Sequence, residues 1–275
     1  PGLYHRIAPE CTIIPFGFMV GNTRNTTPLP LHVTAVGEGP PVVCLPGLGL
    51  SAVIFSPLAP HLPDVGLMLV DNPGAGASPA PKGDYTIQWM ADCTADLIDR
   101  MSIAPCAVVG HSMGGFIALQ LALDHPDLVS RIALIASSPV YLHGGLRLDE
   151  KGDASRIIRA NLGRLTAPAF RAKGDAFERV VEDVVRTAGT GREFAGQLAA
   201  ARAFDVTDRL QDIRCDALII HGAQDAIVPE STARFLHDNI YRSHLAVIEA
   251  SGHLPTVETP EETASLLRSF IGQRS

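Results

Sequence analysis

A serine flanked by small residues stands where a buried strand would turn into a helix. Ser112 is the centre of Gly110-His111-Ser112-Met113-Gly114, with an apolar run before it and a helical pattern from Met113 onward. A tight strand-to-helix turn leaves no room for side chains at the flanking positions, a need that Gly110 and Gly114 meet. Such a turn lifts Ser112 Oγ above the sheet and aims a helix N-terminus at developing negative charge. The pattern predicts a nucleophilic serine.

A serine hydroxyl needs a base before it can act as a nucleophile, and ten histidines compete for that role. His253 follows the last predicted strand and precedes the last predicted helix, which places it at the edge of the sheet where Ser112 emerges. His221 ends a strand and is expected to be structural, while His125 is expected to cap the helix after the serine. We therefore predict His253 as the general base.

The base needs a carboxylate that orients it. Asp225 directly follows the apolar run 217–220. The other position that could supply an acid is the loop after the strand 131–136, but residues 132–148 contain neither Asp nor Glu. Asp225 also keeps the chain order serine, acid, histidine. It is the predicted third member of a catalytic triad.

Backbone N–H groups must hold the negative charge that develops on an attacked carbonyl oxygen. Met113, the residue after the serine, supplies one N–H in the usual geometry. The loop at 45–49 follows a predicted strand and contains two glycines, which let the backbone approach a substrate. We predict Leu48 N–H as the second donor of this oxyanion hole; a plain tight turn is the alternative.

Alternating strand and helix patterns must position these groups. Short apolar runs predict strands, several of them buried on both faces, at 13–19, 31–36, 41–44, 66–70, 106–109, 131–136, 217–220 and 245–249. Helical patterns lie at 87–101, 113–124, 231–239 and 261–271, with Thr86 and Thr259 as predicted N-caps and Glu262 completing a capping box. We expect an α/β fold with a doubly wound, mostly parallel central sheet of about eight strands, the first two forming an antiparallel edge.

One segment interrupts this alternation. Residues 140–210 are rich in Arg, Ala, Asp and Gly and carry helical patterns at 154–164, 175–187 and 192–204. The strand pattern resumes at Cys215. We therefore predict a helical lid at 140–210, inserted into a core made of residues 1–139 and 211–275.

The composition limits the partners. A chain of 275 residues that is 46% hydrophobic, with a mean hydropathy of +0.18, can form a sizeable core, and a net charge of −7 leaves no basic excess for nucleic acid. The apolar stretch 11–20 is too short for a membrane span and lacks the basic leader of a secretory signal. A cytoplasmic location is the default expectation, although the chain begins at Pro1 and its native start is left open, as is the oligomeric state.

No cofactor is expected from the residue patterns. The five cysteines are scattered without a C-x-x-C pair, which favours neither a disulfide framework nor a zinc site. A cluster of metal ligands and a phosphate-binding loop are both missing from the sequence. We predict chemistry that uses neither a metal nor an organic cofactor.

Four segments in a fixed order resemble the α/β-hydrolase superfamily, and the resemblance runs from about residue 31 to 271. They are the serine turn, the segment 71–78 (D-x-P-G-x-G-x-S in pattern), the acid loop 222–229, and the histidine loop with Glu258 and Pro260. By the same resemblance Asp71 is structural and not catalytic. One departure is Pro46, where many members carry His before the glycine of the oxyanion loop.

The resemblance implies two-step acyl transfer by a serine hydrolase, with a small-molecule ester or related acyl compound as substrate. Serine at the nucleophile position argues against the dehalogenases and epoxide hydrolases, which use Asp, and the lactone hydrolases that use Cys. A carboxylesterase acting on small or medium esters is the default expectation. A C–C bond hydrolase, a lactonase and a thioesterase stay open as alternatives, and so does a ligand sensor that retains the triad.

Overall fold

The computed structural model describes residues 28–142, 154–188 and 191–272. Within these ranges seven strands form one sheet in the order β1-β3-β2-β4-β5-β6-β7. β1 pairs antiparallel with β3, and the other neighbours pair parallel. The strands are β1 (Val33–Val36), β2 (Pro41–Leu45), β3 (Gly66–Val70), β4 (Cys106–His111), β5 (Val129–Ile135), β6 (Asp216–Gly222) and β7 (Ser243–Ile248).

Helices follow most strands. They are α1 (Ile87–Met101), α2 (Met113–Asp124), α3 (Ala154–Leu165), α4 (Pro168–Arg171), α5 (Asp175–Thr187), α6 (Arg192–Arg202), α7 (Glu230–Asn239), α8 (Pro255–Glu258) and α9 (Pro260–Ile271). Shorter 3₁₀ segments occur at Ala52–His61, Pro126–Leu128 and Thr207–Asp212. None of the described helices is long and apolar enough to cross a membrane.

The central strands carry apolar residues on both faces because both faces are covered. In β2, Val43 packs into the core with α1 and α2, while Val42 and Cys44 pack into the core on the opposite face with the 52–61 segment and α9. Every residue of β4 is buried. Strands buried on both sides lose the polar alternation of half-exposed strands, which explains the continuous apolar runs in the sequence.

The predicted fold class is confirmed: the structure is α/β with a mostly parallel, doubly wound sheet. The predicted bounds of α1, α2, α5 and β3 agree with the observed ones, and the other predicted elements in the described residues shift by one or two residues at their ends. The predicted strand 13–19 lies outside the described residues. Within the described residues the antiparallel edge of the sheet is formed by β1 and β3.

One of the two predicted helix caps is wrong. Thr86 Oγ1 accepts the Trp89 N–H at 3.1 Å and caps α1 as predicted. Thr259 stands at the N-cap position of α9, but its side chain makes no capping hydrogen bond. Its N–H donates to Pro255 O in the helical turn α8 at 3.1 Å and not to Glu262, so the predicted capping box is absent too. Its hydroxyl instead lies 3.3 Å from Pro255 O, where it donates back along that turn.

The expectation that Asp71 is structural agrees with its hydrogen bonds. Its carboxylate accepts the N–H groups of Ala52 and Ala77, each at 2.9 Å, and lies 3.2 Å from His32 Nδ1. A carboxylate with several donors organises a loop, since each donor would otherwise be buried without a partner. Asp71 thereby ties the loop after β3 to the start of the 52–61 segment.

Candidate active site

Ser112 lies at the junction of β4 and α2 in a strained backbone conformation, with φ 52° and ψ −117°. A non-glycine residue with positive φ persists only where its surroundings hold it. Here the Ser112 N–H donates to Ile135 O at 2.9 Å, and the Ser112 carbonyl accepts from Gly115 N–H at 2.8 Å and Ser137 Oγ at 2.9 Å. These hydrogen bonds hold the strained serine at the carboxyl edge of the sheet, where α2 begins.

The two flanking glycines allow the backbone to pass very close to itself. A Cβ atom on Gly110 would lie 2.3 Å from Gly114 O, and one on Gly114 would lie 2.0 Å from Leu45 O. Contacts this short are impossible for any larger residue, so the sharp turn at Ser112 depends on glycine at both positions.

His253 and Asp225 form a buried acid–base pair. His253 Nδ1 lies 2.7 Å from Asp225 Oδ2, and both side chains are almost fully buried. The other carboxylate oxygen, Oδ1, accepts the N–H groups of Ile227 at 2.7 Å and Val228 at 3.0 Å. The carboxylate therefore fixes the imidazole with its proton on Nδ1 and leaves Nε2 available as a base.

Burial raises the pKa of Asp225, but the charge of His253 and the hydrogen bonds from His253, Val228 and Ile227 outweigh it. The pKa consequently lies below the usual value, and the carboxylate stays ionised. His221, at the end of β6, bonds Val228 O through Nε2 at 3.1 Å and lies 3.9 Å from Asp225 Oδ2. It supports the acid loop, in line with the structural role expected for it.

A second histidine, His111, hydrogen-bonds the loop that carries His253. His111 is fully buried, and its Nε2 donates to the His253 carbonyl at 2.8 Å. The two rings lie edge to face, with centroids 5.0 Å apart. Burial, aided by the nearby charge of His253, lowers the pKa of His111 to about 3, so the ring is neutral at working pH.

Glu258 binds backbone N–H groups of the same loop. Its buried carboxylate accepts the N–H groups of Gly252 at 3.0 Å, Leu254 at 2.9 Å and Ala167 at 2.6 Å. Burial raises the pKa of Glu258 more than these hydrogen bonds lower it. Two buried side chains, His111 and Glu258, thus hold the loop that carries His253. The Glu258 bond to Ala167 also connects this loop to the helices between β5 and β6.

The loop after β2 approaches Ser112 closely. Leu50 N–H donates to Gly47 O at 3.1 Å, and Gly49 has a φ of +71°, so residues 47–50 form a tight turn. A Cβ atom on Gly47 would lie 3.2 Å from Ser112 Cβ. Pro46, the departure from the family pattern, accepts the Asn72 amide through its carbonyl at 2.8 Å.

A small cavity of about 70 Å³ brings the predicted site residues together. Ser112, Met113, His253 and Leu48 all line it, and Asp225 lies behind His253. The remaining walls are largely apolar, from Leu50, Phe116, Tyr141, Leu142, Leu165, Ala201, Ile227 and Val228. Among the described residues that line this cavity, none is Asp, Glu, Lys or Arg.

Known proteins of one family resemble this chain. A sequence model of the alpha/beta hydrolase family matches residues 42–266. The pimeloyl-[acyl-carrier protein] methyl ester esterase of Chromobacterium violaceum is 33% identical over 88% of this chain and 98% of its own length. The enzyme of the same name from Aeromonas salmonicida is 28% identical over 88% of this chain and 99% of its own. Among solved structures, a hydrolase from Pseudomonas aeruginosa aligns with a TM-score of 0.79 and 25% identity, covering 88% of this chain and 94% of that one.

With a parallel sheet, a strained serine at its carboxyl edge and a family match over most of its length, this chain belongs to the alpha/beta hydrolase family. It is an enzyme, as expected, and a hydrolase of the alpha/beta hydrolase fold.

Sequence reasoning missed the residues that support the site from a distance. The partner of His111 could not be inferred, because 142 residues separate it from the His253 carbonyl. Gln197 was likewise not singled out, although it lies on the same face of α6 as the buried Ala200 and Ala201. A polar residue on a helix face otherwise made of small, buried residues is the signal that could have identified Gln197, although not its partners.

Proposed function

We propose that the chain is a serine carboxylesterase in which Ser112 is the nucleophile, His253 the general base and Asp225 the orienting acid. The observation that carries the proposal is the buried 2.7 Å contact between His253 Nδ1 and Asp225 Oδ2, beside a cavity that Ser112 and His253 both line. This pairing leaves His253 Nε2 as the only ring nitrogen able to take the serine proton.

In the proposed mechanism His253 accepts the Ser112 proton while Oγ attacks the ester carbonyl. The N–H groups of Leu48 and Met113 stabilise the resulting oxyanion. The tetrahedral intermediate collapses as His253 gives its proton to the departing alcohol. Water, deprotonated by His253, then attacks the acyl-enzyme and releases the acid. Every proton moves through one imidazole, and the proposal needs neither a metal nor a cofactor.

We further propose that residues 140–210 form a lid over this site. The described part of this segment contains α3 to α6, between the neighbouring strands β5 and β6. Leu165 and Ala201, which belong to it, line the cavity, and Leu165 O accepts the His253 N–H at 2.7 Å. The segment thereby both covers the pocket and touches the loop of the base.

The proposed substrate is the methyl or short alkyl ester of an uncharged acyl chain. Two observations support it: the largely apolar walls of the cavity, and the methyl ester esterase activity named for relatives that are 28% and 33% identical. An apolar wall favours the acyl chain because burying its surface removes it from water.

Turnover of p-nitrophenyl esters from acetate to dodecanoate, together with methanol release from methyl esters, tests the proposal. We expect multiple turnover by the wild type and a loss of about 10³- to 10⁶-fold in kcat for both Ser112→Ala and His253→Ala. His237→Ala is a matched control at an exposed histidine. Turnover that survives in Ser112→Ala would overturn the mechanism, and turnover confined to lactones, thioesters or C–C substrates would replace the esterase assignment.

A further inference from the structure

Gln197 is a fully buried polar side chain that joins three segments of the chain. It lies on α6, between β5 and β6, with no exposed surface. Its Oε1 accepts the Gly49 N–H at 2.8 Å, in the loop after β2. Its Nε2 donates to Pro73 O at 2.8 Å, in the loop after β3. One amide therefore connects a helix of the inserted segment to two loops at the carboxyl edge of the sheet.

The bond to Gly49 fixes the orientation of a peptide plane next to Leu48. The plane between Leu48 and Gly49 is held by Gln197, and the plane between Pro46 and Gly47 is held by Asn72 through Pro46 O. The Leu48 N–H lies between these two planes. Because each peptide unit is rigid, fixing the flanking units restricts the direction in which that N–H points.

The contact between α6 and the loop is also tight sterically. A Cβ atom on Gly49 would lie 2.6 Å from the Phe194 ring, and one on Gly196 would lie 2.8 Å from the Tyr85 ring. Glycine at both positions lets the helix sit directly on the core loops. Moving α6 away would leave the Gly49 N–H and the Gln197 amide without these partners, and a buried polar group without a partner is destabilising.

We propose that Gln197 is a positioning residue for the oxyanion hole, which makes transition-state stabilisation dependent on the docking of α6. Gln197 does not touch substrate in this mechanism; it acts through Gly49 on the Leu48 N–H. The inference rests on the proposed function, because it assumes that Leu48 donates to the oxyanion. The competing explanation is that Gln197 only stabilises the helix.

A positioning role and a purely stabilising role of Gln197 predict changes in different measured quantities. A misdirected oxyanion donor weakens binding of the transition state and leaves ground-state binding nearly unchanged, so kcat falls while KM does not. Phenylboronic acid reports the same interaction, since its adduct with the serine places a boron-bound oxygen in the oxyanion hole. A purely structural role would lower the melting temperature without this selective change.

The test compares Gln197→Met, Gln197→Asn and Gln197→Glu with the wild type, using p-nitrophenyl butyrate and phenylboronic acid. Met removes both hydrogen bonds at similar volume, and Asn is too short to make both. For these two variants we expect kcat to fall about 10- to 100-fold, with KM within about threefold and boronate inhibition weakened by a factor similar to that of kcat. Glu keeps an acceptor for Gly49 and is expected to retain more kcat than Met.

Two controls keep the result interpretable. Gln120→Met removes a buried amide on α2 that bonds Asp124, and we expect its kcat to stay within about threefold of the wild type. Ser112→Ala in the same assay tests the proposed function separately. If Gln197→Met fails to fold, Gln197→Asn carries the test.

An unchanged kcat in the folded Gln197 variants would overturn the inference, and so would a fall in kcat without weaker boronate inhibition. If Ser112→Ala is inactive in either case, the proposed function stands and only the role of Gln197 is wrong. Turnover that persists in Ser112→Ala would overturn the proposed function, and the inference with it.

Discussion

Asp225 and His111 are both buried at the site, but their surroundings affect their charge in different ways. The Asp225 carboxylate stays ionised because His253 and two backbone N–H groups compensate for its burial. His111 has no comparable compensation, and burial keeps it neutral. The negative charge of Asp225 therefore lies next to His253 Nδ1.

Replacing Asp225 with asparagine tests the orienting role. An amide can donate to His253 Nδ1, which would hold the imidazole proton on Nε2 and block its use as a base. For Asp225→Asn we expect kcat to fall about 10⁴-fold with KM changed only a few-fold, measured with p-nitrophenyl esters. Asp208→Asn, at an exposed position, is the control. A loss below about tenfold would show that another group orients His253.

Protonation of His111 should make stability depend on pH. Its pKa falls from an ordinary 6.5 to about 3 in the folded protein, so between these values the unfolded chain binds a proton that the folded chain does not. Stability is therefore lost as pH falls from 6.5 towards 3, at about 1.4 kcal/mol per pH unit.

The comparison that isolates this effect is the free energy of unfolding in urea at pH 7.5 and pH 5.0. From pH 7.5 to pH 5.0 we expect the free energy of unfolding of the wild type to fall by about 2 kcal/mol more than that of His111→Gln, since the variant has no imidazole to titrate at this position. Glutamine can still donate to the His253 carbonyl. An equal loss in both proteins would mean that His111 does not titrate as its burial implies.

At the scale of elements, the turn between β4 and α2 tolerates little change. Gly114→Ala would put a Cβ atom 2.0 Å from Leu45 O, so we expect it to destabilise by more than about 3 kcal/mol or to prevent folding. Gly163→Ala, inside α3 with nothing within 4 Å of the added carbon, should stabilise by about 0.5–1 kcal/mol. Urea unfolding measures both changes. Similar effects of the two substitutions would contradict the packing described at the turn.

Most elements could be predicted from sequence because each has a local cause. Continuous apolar runs predicted the buried strands, and Thr86 predicted where α1 begins. The 52–61 segment was missed because Pro57 and Pro60 mask its helical character, and α4 and α8 because four residues are too few for periodicity. The side chains proposed for catalysis follow strands and could be found from local sequence. Gln197 and His111 act through partners distant in the chain, which no local pattern encodes.

At the scale of the whole molecule, the sheet and the inserted helices enclose a cavity without a charged wall among the described residues. Among the described residues of its wall, a carboxylate moved from water into this cavity meets no cation that would compensate for its lost hydration. The dimethyl ester of a straight-chain dicarboxylic acid should therefore be a better substrate than its monomethyl ester.

We expect kcat/KM for the dimethyl ester to exceed that for the monomethyl ester at least about tenfold at pH 7.5, measured by methanol release. The methyl ester that carries a carboxamide at its far end is polar but uncharged. We therefore expect its kcat/KM to lie between those of the dimethyl and monomethyl esters. Equal values for all three would mean that the far end of the acyl chain stays in water.

The position of the inserted segment has a consequence for how new specificities arise. β5 and β6 are hydrogen-bonded neighbours, so the residues between them can be exchanged as a block without altering strand order or register. A chimaera that takes this block from another hydrolase would inherit a foreign pocket wall on the original sheet. The Gly49 N–H would still require a hydrogen-bond acceptor from the grafted segment, as it has in Gln197 here. Successful grafts should therefore be those whose incoming helix carries a carbonyl oxygen at this one point.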